Sequence, residues 1–185
     1  MSFQFLLQDF STSDVVFGNI TIPSFKSLLD EVEDIEKEIA SPFSTLTHGD
    51  FNIDNIIYHD QTGRIRFIDL HRSSIGDYIQ DISVFMVSNF RLQVFDTRVR
   101  RRINQTICNF YTFAAKVAKD NGDKTFNIRL AIGLARSLVT STRFVLDKGI
   151  ACDMLLRSRY LLEAVVRARR GHYARFKLPE DAIIV

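Results

Sequence analysis

The sequence has few of the residues that mark several large classes of protein. Its two cysteines, Cys108 and Cys152, are far apart and lie in helical patterns, which excludes a disulfide framework and a C-x-x-C site. We expect both to be buried free thiols in a reducing cytoplasm. No apolar run approaches the roughly 20 residues of a membrane helix, and the first residues lack the basic start of a signal peptide. The sequence therefore predicts a cytoplasmic protein without a membrane partner.

Glycine motifs are missing as well. The eight glycines are nowhere two residues apart, so the chain has no G-x-G turn of the kind that covers nucleotide phosphates. Neither the G-x-S-x-G motif of serine hydrolases nor the H-E-x-x-H motif of zinc proteases occurs. Any chemistry must come from other residues.

Charge is distributed unevenly along the chain. Residues 1–81 carry 5 Lys and Arg against 14 Asp and Glu, whereas residues 82–185 carry 19 against 8. A basic half can indicate nucleic-acid binding, but these cations are scattered over predicted helix faces. That distribution favours a solvated surface, and we expect no nucleic-acid partner.

Hydrophobic periodicity predicts a mostly helical α+β chain of one domain, residues 1–185. The domain divides into a leading helix region (1–45), a loop and hairpin (46–76) and a helical subdomain (77–185). The first helix begins near Ser24 and ends by Pro42, and the second extends from Asp77 to Phe90. Three later helices are predicted at about 96–119, 124–147 and 151–170, with breaks at Gly122, Gly149 and Gly171.

Two β-prone runs, 55–59 and 64–70, predict a β-hairpin. A three-residue loop that ends at Gly63 suits a hairpin with a bulge. That register pairs Asp60 with Arg64 and sets Asn55 opposite Asp69, with Cβ atoms about 5 Å apart on one face. A slip of one residue would place the two side chains on opposite faces.

The segment H-G-D-F-N-I-D-N, residues 48–55, contains the residue types for phosphoryl transfer from Mg-ATP. An aspartate at position 50 can accept a proton from a hydroxyl group. The amide oxygen of Asn55 and the carboxylate of Asp69 can both ligate Mg²⁺. The spacing corresponds to the H-R-D-x-x-x-x-N loop of protein kinases, which is followed by a metal-binding aspartate.

The start of the second helix contains a capping-box pattern. Asp77 would accept hydrogen bonds from first-turn amides, and Gln80 would reach back to the helix start. Asp81 has two interpretations. It is either an acid favoured by the helix dipole or a carboxylate that steadies the loop around Asp50.

Residues 46–90 resemble the aminoglycoside phosphotransferase and choline-kinase-like group, which shares the protein-kinase fold. The loop 48–55 is similar to that group's catalytic loop. The segment 67–82, F-I-D-L-H-R-S-S-I-G-D-Y-I-Q-D-I, is similar to its metal-binding segment and the helix after it. The D-L-x-R start and the x-Q-D-I end especially resemble the antibiotic 3′-phosphotransferases.

The resemblance implies a small-molecule kinase with Mg²⁺ and ATP as cofactors and a hydroxyl compound as the acceptor. The implied roles are those of a catalytic base (Asp50), two metal ligands (Asn55 and Asp69), an adenine floor (Ile57) and two supports of the loop (His48 and Asp81).

The sequence departs from this group in one respect: we expect the N-terminal lobe of a kinase to be absent. Only 47 residues precede His48, and the lysines among them, Lys26 and Lys37, lie in or beside an acidic helix. We therefore expect the C-terminal lobe of a kinase-like fold, active only if an N-terminal lobe is supplied in trans or by a longer chain. The isolated chain should bind Mg-ATP weakly.

Other functions stay open at this point. One is a non-catalytic kinase-like binding module or degenerate remnant. A metallohydrolase built on His48, Asp50, His59, Asp69 and His71 is disfavoured. His59 lies about 13 Å along the strand from Asn55, and His71 should point away from Asp69. Aminoglycosides, choline-like amines, amino alcohols and sugars are all candidate acceptors, and the acidic front half favours a cationic one.

Overall fold

A computed structural model describes residues 13–17, 20–168, 172–182 and 184. Its helices are α1 (Phe25–Glu38), α2 (Ile79–Phe90), α3 (Thr97–Asp120), α4 (Phe126–Ser141) and α5 (Lys148–Val166). Its strands are β1 (Val15–Phe17), β2 (Ile20–Ile22), β3 (Thr45–Thr47), β4 (Ile56–His59), β5 (Arg64–Phe67) and β6 (Ser74–Gly76). The strands form three antiparallel pairs, β1–β2, β3–β6 and β4–β5. This mostly helical chain with small sheets is compatible with the predicted α+β kinase-like lobe.

Helix α4 is the centre of the core. Twelve of its 16 residues are buried, which is expected of a helix that is apolar nearly all round. It packs between α2 and α5. At Gly133 an added Cβ would lie 3.0 Å from Cγ2 of Ile79 and 3.2 Å from Cβ of Ser83. The glycine thus permits the close approach of α2, the helix that supports the candidate site.

Helix α1 confirms the predicted amphipathic pattern. Ser24 is the N-cap, and its Oγ accepts a hydrogen bond from the Ser27 N–H at 3.0 Å. The buried face consists of Phe25, Leu28, Leu29, Val32 and Ile35, and it packs against α5. The helix begins where the sequence indicated and ends at Glu38, four residues before Pro42.

The boundary between the last two long helices differs from the prediction. Helix α4 ends at Ser141, and Gly149 lies inside the first turn of α5 instead of stopping a helix. The reason is Asp147, whose carboxylate accepts a hydrogen bond from the Ile150 N–H at 2.9 Å and starts a new helix there. Gly122, at φ +71°, does separate α3 from α4 as predicted. Gly171 lies outside the described residues.

The cysteines are only partly as expected. Both are free thiols, but Cys108 is half-buried and Cys152 is exposed, so the prediction that both are buried is wrong. Helical periodicity placed Cys152 in the correct element, but the first turns of α5 lie at the surface. Among the described helices, none combines the length and hydropathy that a membrane-crossing segment needs.

The predicted β4–β5 hairpin forms, but in a different register. His59 pairs with Arg64 and Ile56 with Phe67, around a four-residue loop closed by a hydrogen bond from the Thr62 N–H to the His59 carbonyl. Gly63 adopts a φ of +64°. The predicted pairings of Asp60 with Arg64 and of Asn55 with Asp69 are therefore wrong by one residue. The Ile68 N–H donates to the Asn55 carbonyl at 3.1 Å instead.

Candidate active site

The loop that begins at His48 is held from the first turn of α2. The Asp81 carboxylate accepts hydrogen bonds from the backbone N–H groups of His48 at 2.6 Å and Gly49 at 3.0 Å. The side-chain amide of Gln80 donates to the Gly49 carbonyl at 3.0 Å. Only half of the predicted capping box is present. Asp77 does accept from the Ile79 N–H at 3.0 Å, whereas Gln80 reaches the loop instead of the helix start.

Gly49 fits a position that no other residue could occupy without strain. Its φ is +82°, and an added Cβ would lie 2.3 Å from the backbone oxygen of Arg72. The close approach joins the loop to the chain just after Asp69. The pairing of Thr47 in β3 with Ser74 in β6 also joins the loop to the segment after Asp69.

His48 is 8% exposed and connects the loop to the hairpin. Its Nε2 lies 2.9 Å from the Ile68 carbonyl oxygen, and its Nδ1 lies 3.4 Å from the Asp50 backbone nitrogen. A neutral ring that donates from Nε2 and accepts at Nδ1 satisfies both contacts. This is the arrangement that the hypothesis of a loop-supporting histidine requires.

Asp50 is fixed by two neighbours and still borders open space. Asn52 donates its side-chain amide to Oδ1, and Nη1 of Arg72 lies 3.3 Å from Oδ2. The side chain is 24% exposed and lines a cleft between α1, α2 and α4. The carboxylate can therefore be reached by an acceptor.

Asn55 turns towards the same loop. It lies in the short 3₁₀ turn Ile53–Asn55, and its Nδ2 donates to the Asp50 carbonyl at 2.8 Å. Because the amide nitrogen is engaged there, Oδ1 is the atom left to ligate a cation. The turn also separates Asn55 from β4, which begins at the next residue. Ile57 lies in β4 opposite Arg66, is 47% exposed and does not line the cleft.

Asp69 has an unusual backbone. Its φ and ψ are +61° and +48°, and it is the only residue other than glycine with positive φ in the described ranges. Aspartate tolerates this conformation better than most residues, and such outliers cluster at functional sites. The left-handed turn ends the alternation of side chains between the two faces of the hairpin after Ile68. The one-residue difference in hairpin register therefore does not by itself turn the Asp69 carboxylate to the face opposite Asn55.

His71 behaves differently from the prediction that it points away from Asp69. Its Nδ1 lies 2.5 Å from Oδ1 of Asp69, because a 3₁₀ turn from Leu70 to Arg72 replaces the expected extended backbone. Asp69 remains about half exposed, at 49% of its side chain.

The donor chemistry of the site suits magnesium better than zinc. No cluster of three or more His, Cys, Asp or Glu side chains able to hold a metal occurs among the residues that the structure describes. Mg²⁺ keeps several waters and typically takes one or two protein ligands together with substrate phosphates. An amide oxygen from Asn55 and a carboxylate from Asp69 fit that requirement.

The cleft beside Asp50 has a volume of about 370 Å³, and α1, α2 and α4 contribute to its walls. Each carboxylate that lines it has an arginine partner. Asp50 is next to Arg72, and Glu36 accepts from Arg136 at 2.8 Å. Asp77 is paired with the buried Arg129, which also binds the buried Asp123.

The sequence interpretation missed Glu36, Arg129 and Arg136. Glu36 and Arg136 are 100 residues apart, so no local pattern connects them. A signal was nevertheless present. Arg129 and Arg136 lie seven residues apart, two turns, on the same side of a helix that is otherwise mostly apolar.

The comparisons with known proteins agree with this geometry at the level of a family. Neither a search of curated proteins nor one of solved structures finds a match. A family model described as "Ecdysteroid kinase-like family" matches residues 19–115, a range that contains the loop, the hairpin and helix α2. The match does not point to the aminoglycoside phosphotransferases in particular. The chain belongs to the ecdysteroid kinase-like family, a part of the protein-kinase-like superfamily related to choline-kinase-like enzymes.

Proposed function

We propose that this chain is the catalytic lobe of an ATP-dependent phosphotransferase that acts on a hydroxyl group of a small molecule in the cytoplasm. The observation that supports this most strongly is the position of Asp50. Its loop is held by Asp81 and His48, its carboxylate borders the cleft, and the Asn55 side chain contacts its carbonyl. Membership of the kinase-like family points to the same reaction.

In this mechanism Asp50 orients the acceptor hydroxyl and accepts its proton. The hydroxyl oxygen forms a bond to the γ-phosphorus, the bond from that phosphorus to the β–γ bridging oxygen breaks, and ADP leaves. Asp50 then releases the proton to solvent. Bound by Asn55 and Asp69, Mg²⁺ would neutralise charge on the phosphates. Rigid support of the loop matters because phosphoryl transfer depends mainly on positioning.

We further propose that an N-terminal lobe, in trans or from a longer chain, covers the β3–β6 and β4–β5 sheets. Leu46 and Ile75 face each other across β3 and β6 at 73% and 72% exposure. On the β4–β5 hairpin, Ile57, Ile65 and Phe67 are between 47% and 58% exposed. Apolar side chains concentrated at the active edge indicate a protein interface. Such a lobe would supply the phosphate clamp and place Ile57 under the adenine.

The lining of the cleft argues against a cationic acceptor. Because its carboxylates are matched by arginines, no free acidic wall is offered to a cationic antibiotic or a choline-like amine. Apolar side chains of Ile39, Ile79 and Val84 and the hydroxyls of Ser83 and Ser137 line it. A hydroxylated, largely apolar molecule suits this lining, and the family's name points to ecdysteroids as a concrete example to test.

A non-catalytic binding module is the second candidate, and one contact favours it. The guanidinium of Arg72 lies 3.3 Å from the carboxylate that should accept the proton. An acceptor hydroxyl that bonds to this oxygen would have to displace the arginine first. A module that only binds the acceptor would need no such displacement.

Calorimetric titration with Mg-ATP tests the nucleotide site. The chain should bind Mg-ATP weakly, Asp69→Ala should abolish the heat signal, and Asp50→Ala should retain it. Micromolar affinity in the chain alone would show that the site needs no covering lobe.

Transfer from labelled ATP to an ecdysteroid tests the reaction, in the complete assembly. Asp50→Asn should lower the rate by at least about 10²-fold. Asp54→Asn, which changes an exposed carboxylate in the same loop, is the control. Full transfer by the Asp50 variant would refute the catalytic base.

A further inference from the structure

Two loops at one end of the helical subdomain lie side by side. One is the segment 91–96 between α2 and α3, and the other is the segment 142–147 between α4 and α5. The guanidinium carbon of Arg91 lies 5.4 Å from the centre of the Phe144 ring. Gln93 and Val145 line the same small surface groove. We call the surface formed by these loops, the first two turns of α3 and the first turn of α5 the basic edge.

The basic edge exposes large apolar side chains at its loop tips. Leu146 is 96% exposed, Phe95 is 87% exposed and Phe144 is 62% exposed. Phe95 and Leu146 are the two most exposed large apolar side chains in the described part of the chain. Each directly precedes the aspartate that caps the next helix, so helix capping fixes the backbone that presents it.

The same surface carries a large excess of positive charge. Asp96 is the only acidic residue between positions 82 and 119, and Asp147 is the only one between 124 and 152. Both are engaged as N-caps, Asp96 with two backbone N–H groups at 2.9 Å and Asp147 with one at 2.9 Å. Asp54, the third acid near this edge, lies 3.4 Å from Arg91.

The cations of the basic edge are available for an external anion. None of them, apart from Arg91, forms an ion pair with another residue in the described segments; they are the exposed residues Arg98, Arg101, Arg102, Arg143 and Lys148. Part of the charge excess noted in the second half of the sequence therefore lies at this surface, and the rest is spread over helix faces.

We propose that the basic edge binds the surface of an anionic lipid bilayer. Protruding apolar side chains can enter the boundary between headgroups and acyl chains, while surrounding arginines and lysines are attracted to anionic headgroups. Charge complementarity identifies the occupant, and the isolated apolar tips favour a deformable bilayer over a folded protein, which would need a matching concave surface. The proposal is independent of the proposed reaction.

Nucleic acid fits the same charge less well. The Phe144 ring is already contacted by Arg91 at 5.4 Å and by Arg143 at 4.6 Å, which leaves less of it for stacking on a base. Leu146 cannot stack on a base. The sequence argued against a membrane partner because no segment spans a bilayer, but lying on a bilayer requires only an amphipathic surface.

Arg143 connects this surface to the cleft, since it lines the cleft that contains Asp50. A bilayer bound at the basic edge would therefore contact one residue of the cleft wall. Under the proposed reaction, on which this extension rests, a membrane-dissolved acceptor would be brought next to the cleft.

Vesicle flotation tests the proposal. The 185-residue protein should float with vesicles of phosphatidylcholine and phosphatidylserine at low salt, and not with phosphatidylcholine alone or at high salt. The double variant Phe95→Ser, Leu146→Ser should lower partitioning by about tenfold or more. Each of Arg98→Gln and Arg101→Gln should lower it by about fivefold. The matched control is Phe113→Ser with Leu156→Ser, which removes side chains that are 64% and 61% exposed elsewhere.

A tryptophan probe gives a second readout that does not depend on a loss of binding. The chain contains no tryptophan, so Leu146→Trp introduces a single fluorophore at the proposed contact. Its emission should shift to the blue and be quenched by brominated lipids in anionic vesicles, whereas Phe113→Trp should not respond. Binding to DNA that competes with vesicles and is unaffected by Phe95→Ser, Leu146→Ser would overturn the proposal. So would equal flotation of that double variant and the control, or an emission spectrum of the Leu146→Trp variant that vesicles leave unchanged.

Discussion

The Asp81 carboxylate accepts a hydrogen bond from the backbone N–H of His48 at 2.6 Å, and a second from the next residue at 3.0 Å. Two interpretations of this acid were open from the sequence. Its contacts are those of a side chain that holds the loop. A first-turn acid that served only the helix dipole would need no contact with residues 32 positions earlier.

Substitution of Asp81 should therefore affect stability more than its partly exposed position suggests. Asp81→Asn keeps the size but offers an NH₂ group to one of two backbone donors, leaving that donor unsatisfied. We expect a loss of about 1–3 kcal/mol in the free energy of unfolding, measured by urea denaturation. Asp54→Asn, an exposed carboxylate with one contact at 3.4 Å, should change it by less than about 0.5 kcal/mol. Equal effects would remove the support role.

Gly49 provides a test of the contact between the loop and the segment after Asp69. Gly49→Ala combines a positive φ with a Cβ placed 2.3 Å from a backbone oxygen. We expect a loss of at least about 3 kcal/mol, more than the roughly 1–2 kcal/mol of the left-handed conformation alone. Gly122→Ala is the matched control, because φ is +71° there and nothing lies within 4 Å. A similar loss in both variants would show that the close approach is relieved by small movements.

Arg129 is the buried cation between Asp77 and Asp123, beneath the cleft. Arg129→Met should cost about 3–5 kcal/mol of unfolding free energy, because it leaves carboxylates without their counter-charge. Asp123 has no exposed side-chain surface, so hydration cannot compensate. Arg136→Met alters the half-exposed pair with Glu36 and should cost about 1 kcal/mol or less. Thermal and urea denaturation of the two variants make the comparison, and the reverse order would contradict the burial argument.

Tyr78 should make stability sensitive to alkaline pH. Burial raises the pKa of its hydroxyl above the ordinary value, and the hydrogen bond to Asp123 raises that pKa further. The unfolded chain therefore loses this proton first, near pH 10. The contribution of the protonated Tyr78 hydroxyl to the free energy of unfolding is complete below that pH. It decreases as the pH rises above that value towards the folded-state pKa. Urea denaturation across this range should show the stability advantage of the native chain over Tyr78→Phe decreasing with pH.

The control for this pH dependence is Tyr58→Phe, which removes a phenol from the exposed hairpin. An advantage over Tyr78→Phe that stays constant, or grows, with increasing pH would contradict the assigned cause.

The helices and the hairpin could be predicted because their signals are local. The period of α1, the cap at Ser24 and the break at Gly122 each depend on neighbours within a few residues. The register of the hairpin depended on whether its loop has three or four residues, a choice that small differences in turn energy decide. Similarly, Gly149 was predicted to stop a helix, but the capping hydrogen bond of Asp147 starts a helix that includes it.

The sequence by itself determined the order of the helices and of the β4–β5 hairpin, the loop with Asp50 and Asn55, and the kinase-like superfamily, because these depend on residues close together along the chain. The tertiary structure alone decided what surrounds Asp50. Gln80 reaches Gly49 across 31 positions, and Glu36 reaches Arg136 across 100. Packing of α2 and α4 brings these partners together, and no local pattern encodes a contact whose two halves lie on separate helices.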